Sequence, residues 1–270
     1  MSGPSTVTRR RLDSELVRRG LANSRAEAQQ AVRARLVRVS GVTASKVATL
    51  VADDEAVELV GPPRRFVSRG GEKLAAAIDR FAVDVIGADA LDAGASTGGF
   101  TDCLLQAGAR HVIAVDVGYG QLAWALRRDA RVSVVERTNV RSLQPSDLPY
   151  APTVVVADLS FISLRTVLPA LAAVSAPGAD AVMLVKPQFE AGPGRVGRGG
   201  VVRDPDVWME VVSSVAVAAA DGGFAPQDVM ASPLRGPAGN VEFLMWARRD
   251  AVAVPVDLER AIAEAREVAA

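Results

Sequence analysis

The sequence predicts an α/β protein whose main part is a doubly wound, mostly parallel sheet, preceded by a small α+β domain. Three observations carry this. From about residue 85, short apolar runs alternate with segments of helical pattern, as parallel strands joined by crossover helices require. A glycine-rich stretch, residues 94–99, follows the first run and opens a helical segment, the place where an open parallel sheet binds its ligand. Charge is split along the chain: residues 1–65 hold 12 lysines and arginines against 7 acids, and the remainder holds 19 against 24. A length of 270 residues suits one medium domain plus a small one.

Taken in order, residues 1–8 read as disordered. Residues 9–17 carry Leu12, Leu16 and Val17 at helical spacing, and Gly20 is a helix stop. Ser24, with Glu27 three residues on, makes a capping box for a second helix through Ala28, Ala31 and Val32. Val37-Arg38-Val39, a Ser40-Gly41 turn and residues 56–60 read as short strands. Gly61-Pro62-Pro63 breaks the pattern, which sets the small domain at 1–62, a linker at 63–68 and the large domain at 69–270. Within the large domain, strands are expected at 90–91, 112–115, 132–135, 154–157 and 181–185. Helices are expected at about 100–107, 121–128, 163–173 and 205–220. Residues 228–230 and 241–246 have no helix between them and suit an antiparallel pair at the sheet edge, and 257–267 reads as a closing helix.

The glycine-rich stretch narrows the ligand. It reads Asp92-Ala93-Gly94-Ala95-Ser96-Thr97-Gly98-Gly99-Phe100-Thr101. This is not the usual dinucleotide fingerprint, and no Gly-Lys-Ser/Thr ending marks a phosphate loop. The carboxylate of Asp92 suits a cationic ligand better than a pyrophosphate. Asp116, at the end of the second strand, is placed to accept both hydroxyls of a ribose. A sulfonium, an amino group, a ribose and no phosphate describe S-adenosylmethionine. Asn139, after the third strand, either touches the adenine or serves as an ordinary turn residue.

The chain has only three lysines, Lys46, Lys73 and Lys186; every other basic residue is arginine. Arginine keeps its proton at biological pH, whereas lysine can be tuned to lose one. Lys186 follows the fifth strand, Asp158 follows the fourth, Glu242 begins the late strand, and Lys73 lies before the first. Residues at carboxyl ends of parallel strands converge on one crevice, so these four are candidates for a single cluster that titrates as a set. The lone His111 begins a strand and reads as structural, Cys103 reads as core, and no metal site is expected.

Longer motifs add a resemblance. Arg11-Leu12-Asp13, Gly20-Leu21, Ser24-Arg25 and Val37-x-Val39-x-Gly41 resemble an S4-type RNA-binding module. Ser68-Arg69-Gly70-Gly71-Glu72-Lys73-Leu74, the glycine stretch, Asp116-Val117-Gly118-Tyr119-Gly120-Gln121-Leu122 and Asp158-Leu159-Ser160-Phe161-Ile162-Ser163 resemble the TlyA family. So do Lys186-Pro187-Gln188-Phe189-Glu190 and Gly239-Asn240-Val241-Glu242. These are ribosomal-RNA cytidine 2′-O-methyltransferases, often labelled haemolysins. The resemblance implies a Rossmann-like class I methyltransferase of FtsJ type behind an S4 domain, with S-adenosylmethionine as cofactor. It implies a Lys-Asp-Lys-Glu tetrad falling on Lys73, Asp158, Lys186 and Glu242. It also implies large-subunit RNA as substrate and, for members with a full basic N-terminal segment, small-subunit RNA too. One departure is Arg35, where S4 modules usually carry glycine.

On that reading Asp158 also borders the cofactor, and Lys186 takes the proton from a ribose 2′-hydroxyl. A lysine does so near neutrality only if its surroundings bring it down from a pKa of roughly 10.4. Lys73 nearby favours the neutral amine, and Asp158 and Glu242 favour the ammonium; sequence alone leaves the balance open. Asp158 is expected to orient Lys186, and Glu242 to meet the target ribose or Lys73. RNA contacts are expected from Arg9, Arg10, Arg11, Arg18, Arg19, Arg25 and Arg35, from Arg64 and Arg65, and from Arg195 and Arg198 in a glycine-rich loop at 192–200.

Composition bounds the alternatives. One cysteine excludes an internal disulfide, and no apolar leader follows the basic start, so a cytoplasmic protein is expected. The longest weakly polar run, 211–220, covers about half a bilayer span, which counts against a membrane-lytic role. A methyltransferase for another substrate and a non-catalytic RNA-binding factor are the remaining classes.

Overall fold

The computed structural model describes residues 9–22, 24–60, 65–192 and 194–270. The chain divides into two units, Met1–Arg64 and Arg65–Ala270. The 1–8 segment, the Gly61-Pro62-Pro63 break and Arg64 lie outside the described residues.

The first unit runs β1 (Arg9–Arg11), α1 (Leu12–Arg18), α2 (Arg25–Arg33), β2 (Val37–Val39), β3 (Val42–Thr43), β4 (Leu50–Ala52) and β5 (Val57–Leu59). Leu12, Leu16, Ala28, Ala31, Val32, Val37 and Val51 form its core. Residues 9–11 were expected to start a helix. They pair antiparallel with β4 instead, and the helix begins only where apolar Leu12 and Leu16 turn inward. Ser24 caps α2, accepting from the Glu27 N–H at 3.2 Å. Two carboxylates are fully buried here, Asp13 and Glu15. Asp13 accepts from Arg11 at 3.0 Å, Arg25 at 3.0 Å and Gln29 at 3.1 Å. Glu15 accepts from Arg18 at 2.5 Å and Arg19 at 2.6 Å. The guanidinium groups hold Asp13 well below the usual carboxylate range and Glu15 at about 2. Arg35 takes the left-handed conformation, φ 59°, that glycine adopts without strain.

The second unit opens with α3 (Arg69–Phe81) and continues β6 (Asp89–Ala93), α4 (Gly99–Gln106), β7 (His111–Val115), α5 (Trp124–Arg127), β8 (Val132–Val135), β9 (Val154–Ala157) and α6 (Leu168–Val174). It ends β10 (Asp180–Val185), α7 (Pro187–Glu190), α8 (Pro205–Asp221), β11 (Phe224–Ala231), β12 (Phe243–Arg249) and α9 (Leu258–Ala269). The seven strands lie in the order β11-β12-β10-β9-β6-β7-β8. The run β10-β9-β6-β7-β8 is parallel, and β12 is antiparallel to both of its neighbours.

Strand alternation fills both faces. Leu91, Ile113, Val155 and Met183 face α6 and α8 through Leu168, Leu171 and Val211. Ala90, Val112, Val154 and Val182 face α3 and α4 through Leu74, Phe100 and Leu104. The central strands β9 and β10 therefore carry apolar residues on both parities, as a sheet covered on two sides demands. Among the described residues no helix is long and apolar enough to cross a membrane.

Several elements depart from expectation. Residues 65–68 were expected in the linker, but Phe66 is buried in the second unit's core. The α3 helix went unread because it starts with two glycines. Gly71 is required by close approach: a Cβ there would sit 2.3 Å from Phe66. The expected helix at 121–128 shrinks to one turn, and that at 163–173 becomes a 3-10 turn, Leu164–Thr166, before α6.

Replacing Arg35 by glycine relieves the left-handed strain, which costs about 1–2 kcal/mol, against glycine's entropic cost of about 0.5–1 kcal/mol. Denaturation of the intact Arg35→Gly protein should show unchanged or slightly raised stability. A loss of stability would mean that the Arg35 side chain holds the turn.

Candidate active site

Following β6 the chain runs outward to β7 and β8, then returns to place β9 on the other side of β6. The strand order reverses between β6 and β9, and a crevice opens at the carboxyl ends there. The glycine turn leaves β6 in that crevice. Gly94 and Gly98 have φ of 89° and 95°, and Ser96 has 48°. A Cβ on Gly94 would sit 2.6 Å from the Asp158 carbonyl oxygen, so the turn passes hard against the end of β9. Asp116 at the end of β7 fixes the turn: its Oδ2 accepts from the Ser96 N–H at 2.8 Å and its Oδ1 from the Gly118 N–H at 2.6 Å. Each oxygen keeps a second lone pair for a ligand hydroxyl.

Asp92 is fully buried. Thr101 Oγ1 donates to its Oδ2 at 2.6 Å, and its Oδ1 has no partner among the described residues. Burial, with the Asp158 and Asp116 charges adding to it, pushes the Asp92 carboxyl up to about 7. Three carboxylates at one turn make a site for a cation. An orphaned buried oxygen, a ribose-type acid and closely approached backbone fit S-adenosylmethionine. Ala95, Thr97 and Gly99 lie within the same turn. Phe100 is a partial correction: its side chain is buried in the core against Gly70, leaving only main chain for a ligand. Asn139 caps the 3-10 turn at Val140–Ser142, accepting from the Arg141 N–H at 3.0 Å.

Beside this turn stand the four candidate acid–base residues. The order β12-β10-β9-β6 sets the start of antiparallel β12 at the same edge as the ends of β10, β9 and β6. Glu242 precedes β12, whereas Lys186 and Asp158 follow β10 and β9. The Val185–Phe243 pairing brings Lys186 opposite Glu242. Lys73, from the second turn of α3, forms a buried ion pair with Glu242. Lys186 Nζ lies 2.5 Å from Asp158 Oδ1, an ion pair rather than an aligned hydrogen bond, and donates to Ser160 Oγ at 3.0 Å. Lys73, Glu242 and Lys186 are 5%, 1% and 8% exposed, so three charges of the set are withheld from water. Burying such pairs gains little stability over apolar packing, which directs attention to their chemistry.

Sequence reading missed Ser160 and two aromatic residues. Phe161 is 91% exposed, with a φ of 64°. Its ring centroid is 5.2 Å from that of Phe189, and Lys186 Nζ stands 5.9 Å from the Phe189 centroid. The available signal was spacing: each phenylalanine follows its acid–base residue, Asp158 or Lys186, by three positions.

The expected RNA-binding arginines divide. Arg9 lies 3.8 Å from Glu55, Arg10 pairs with Asp53, and Arg11, Arg18 and Arg25 pair with buried Asp13 or Glu15. These five remain at least 40% exposed and can still present charge. Arg19 is a correction. Besides Glu15 it donates to the carbonyls of Glu55 at 2.7 Å, Ala52 at 3.1 Å and Asp53 at 3.2 Å, so four of its five N–H donors are spent inside the unit. Arg35 and Arg198 are exposed, Arg65 stacks on Phe66 at 4.7 Å, and Arg195 pairs with Glu210. Arg33, Arg38 and Lys46, unassigned from sequence, are exposed and have no ion-pair partner among the described residues.

A parallel sheet with an antiparallel final pair, a glycine turn at its switch point and flanking carboxylates defines a methyltransferase-type α/β domain. Comparison with known proteins agrees. The model of the FtsJ-like methyltransferase family matches residues 66–249, and that of the S4 domain matches residues 10–57. The chain is 55% identical over 241 residues to the 16S/23S rRNA (cytidine-2′-O)-methyltransferase TlyA of Mycobacterium tuberculosis, covering 89% of this chain and 90% of that protein. A solved structure of a candidate hemolysin from Streptococcus thermophilus superposes with a TM-score of 0.78 at 38% identity, covering 97% of this chain and 98% of that one. The chain belongs to the TlyA family of FtsJ-like methyltransferases and carries an N-terminal S4 domain.

The buried acid gives a pH test. Because the folded-state value of Asp92 is raised to about 7, the stability tied to its proton is present at low pH and lost as pH rises through about 7. Asp92→Asn removes that dependence. Relative to wild type its unfolding free energy should rise more at pH 8 than at pH 5, by an amount on the order of a few kcal/mol at most. Its affinity for S-adenosylmethionine should fall. Equal shifts at both pH values would mean that Asp92 is ionised throughout.

Proposed function

We propose that this protein transfers a methyl group from S-adenosylmethionine to the 2′-hydroxyl of cytidine in ribosomal RNA. The substrates are 23S RNA and also 16S RNA, within ribosomal subunits in the cytoplasm. The observation that carries the reading is the Lys186–Asp158 pair beside Lys73–Glu242, at the edge where the glycine turn leaves the sheet. The Mycobacterium tuberculosis relative, a 16S/23S rRNA (cytidine-2′-O)-methyltransferase, supports it.

The cofactor would lie along the glycine turn, held by main chain at residues 94–100, with Asp116 toward its ribose and Asp92 and Asp158 toward its cationic end. When bound it supplies an electrophilic methyl carried on a sulfonium. The residues of this chain align a ribose oxygen with it and remove the hydroxyl proton. Lys186, as the neutral amine, takes that proton at Nζ. Asp158 and Ser160 hold Nζ in place and stabilise the ammonium that results. Glu242 holds Lys73 beside them. Phe161 presents an exposed ring at the rim, a surface on which an unstacked base rests. The exposed arginines of the S4 domain, with Arg65, Arg195 and Arg198, supply phosphate contacts.

Lys186→Arg keeps the charge and loses the base. Labelled-methyl transfer to ribosomal subunits should fall by about a thousandfold or more, while S-adenosylmethionine affinity stays near wild type. Near-normal turnover would remove Lys186 from this role.

A further inference from the structure

The loop after β9 and the short α7 helix after β10 are fastened by one buried carboxylate. Glu190 is 6% exposed. It accepts from Ser163 Oγ at 2.5 Å, from the Leu164 N–H at 2.6 Å and from Arg165 Nε at 3.2 Å. Arg165 Nη2 returns a bond to the Glu190 carbonyl at 3.1 Å, and Ser163 Oγ accepts from the Arg165 N–H at 3.2 Å. A buried carboxylate with this many donors, one of them cationic, makes a stiff joint.

Its location gives it a task. Lys186 occupies the N-cap position of α7, and Glu190 ends that single turn, so the two side chains are carried by one rigid piece. Pro187 at the first helical position and the Phe189 N–H bond to the Lys186 carbonyl at 2.9 Å fix the piece internally. Asp158 and Ser160 lie on the opposing loop, which must turn at Phe161 through φ 64° before reaching Ser163. The β9–β10 ladder ends at the Ala157–Met183 pairing, short of both Asp158 and Lys186. Past that point, among the described residues, the two segments are tied by the side-chain bonds of Lys186 and Glu190, the Arg165 bond to the Glu190 carbonyl and the Phe161–Phe189 ring contact. The charged groups facing Lys186 are Asp158 from the β9 loop and, across the β10–β12 pairing, Glu242 with its partner Lys73.

We propose that Glu190 is a positioning residue for methyl transfer: by clamping Ser163, Leu164 and Arg165 to α7 it keeps Lys186 Nζ on Asp158 and Ser160. The inference rests on the reading of Lys186 as proton acceptor. It adds a residue that touches neither substrate nor cofactor, and it assigns the Arg165 guanidinium to the joint.

The small lysine count makes the test direct. Full-length protein labelled with 13C at lysine Cε gives three resonances, from Lys46, Lys73 and Lys186. Lys73, held by Glu242 on another strand, is the internal reference for global loosening. In Glu190→Gln the Lys186 resonance should move while that of Lys73 stays. The single-turnover rate should fall at least about tenfold, with S-adenosylmethionine affinity within about twofold of wild type. Arg165→Gln keeps the Ser163 and Leu164 bonds and should move the same resonance less; it also serves if Glu190→Gln does not fold. An unmoved Lys186 resonance in both variants overturns the proposal, and so does joint movement of Lys73 and Lys186. Activity retained in Lys186→Arg would instead overturn the base assignment, and the resonances would still decide the clamp.

Discussion

One buried lysine–carboxylate pair, Lys73–Glu242, and one half-buried pair, Lys186–Asp158, at one edge of the sheet are the constraint around which the second unit is arranged. Charges withdrawn from water are tolerated only when paired, and removing one partner of such a pair costs about 3–5 kcal/mol. Lys73–Glu242 and Lys186–Asp158 therefore impose conditions on everything that carries them. The α3 helix must lie close enough for Lys73 to reach Glu242. Strand β12 must run antiparallel, so that its beginning meets the end of β10. The glycines at 71, 94 and 99 let α3, the cofactor turn and the end of β9 approach without a Cβ between them. Geometry that serves the site is thus paid for in the sequence as glycine.

The same edge concentrates negative charge beside the turn. Asp92, Asp116 and Asp158 stand together, and the first of them, lacking water and one hydrogen-bond partner, is the least able to hold its charge. A cationic ligand relieves that cost. This is the physical reason a methyl donor with a sulfonium and an amino group suits the crevice better than a dinucleotide would.

Much of this was legible in the chain. Runs such as Val154-Val155-Val156-Ala157 and Ala181-Val182-Met183-Leu184-Val185 are β-branched or apolar on both parities, and they became central parallel strands. A polar residue closing such a run, Asp158 or Lys186, marks the ligand edge. What failed to show were packing details set by distant partners. The α3 helix was hidden by its opening glycines, of which Gly71 is explained by the packing of Phe66. Arg19 looked like a phosphate contact because its acceptors, the carbonyls of Ala52, Asp53 and Glu55, are more than thirty positions away. Phe161 carries no periodicity, so neither its exposure nor its left-handed backbone could be read. In the first unit the arginines both anchor two buried acids and face outward, roles that composition cannot separate.

The central claim is that this edge delivers a methyl group to a ribose oxygen of ribosomal RNA. Mapping ribose methylation across ribosomal RNA from cells with and without this protein tests it most directly. The account predicts 2′-O-methylcytidine in the large-subunit RNA, and in the small-subunit RNA, only when the protein is present. Identical ribose methylation in both samples, or a gain confined to base nitrogen or carbon atoms, would contradict it.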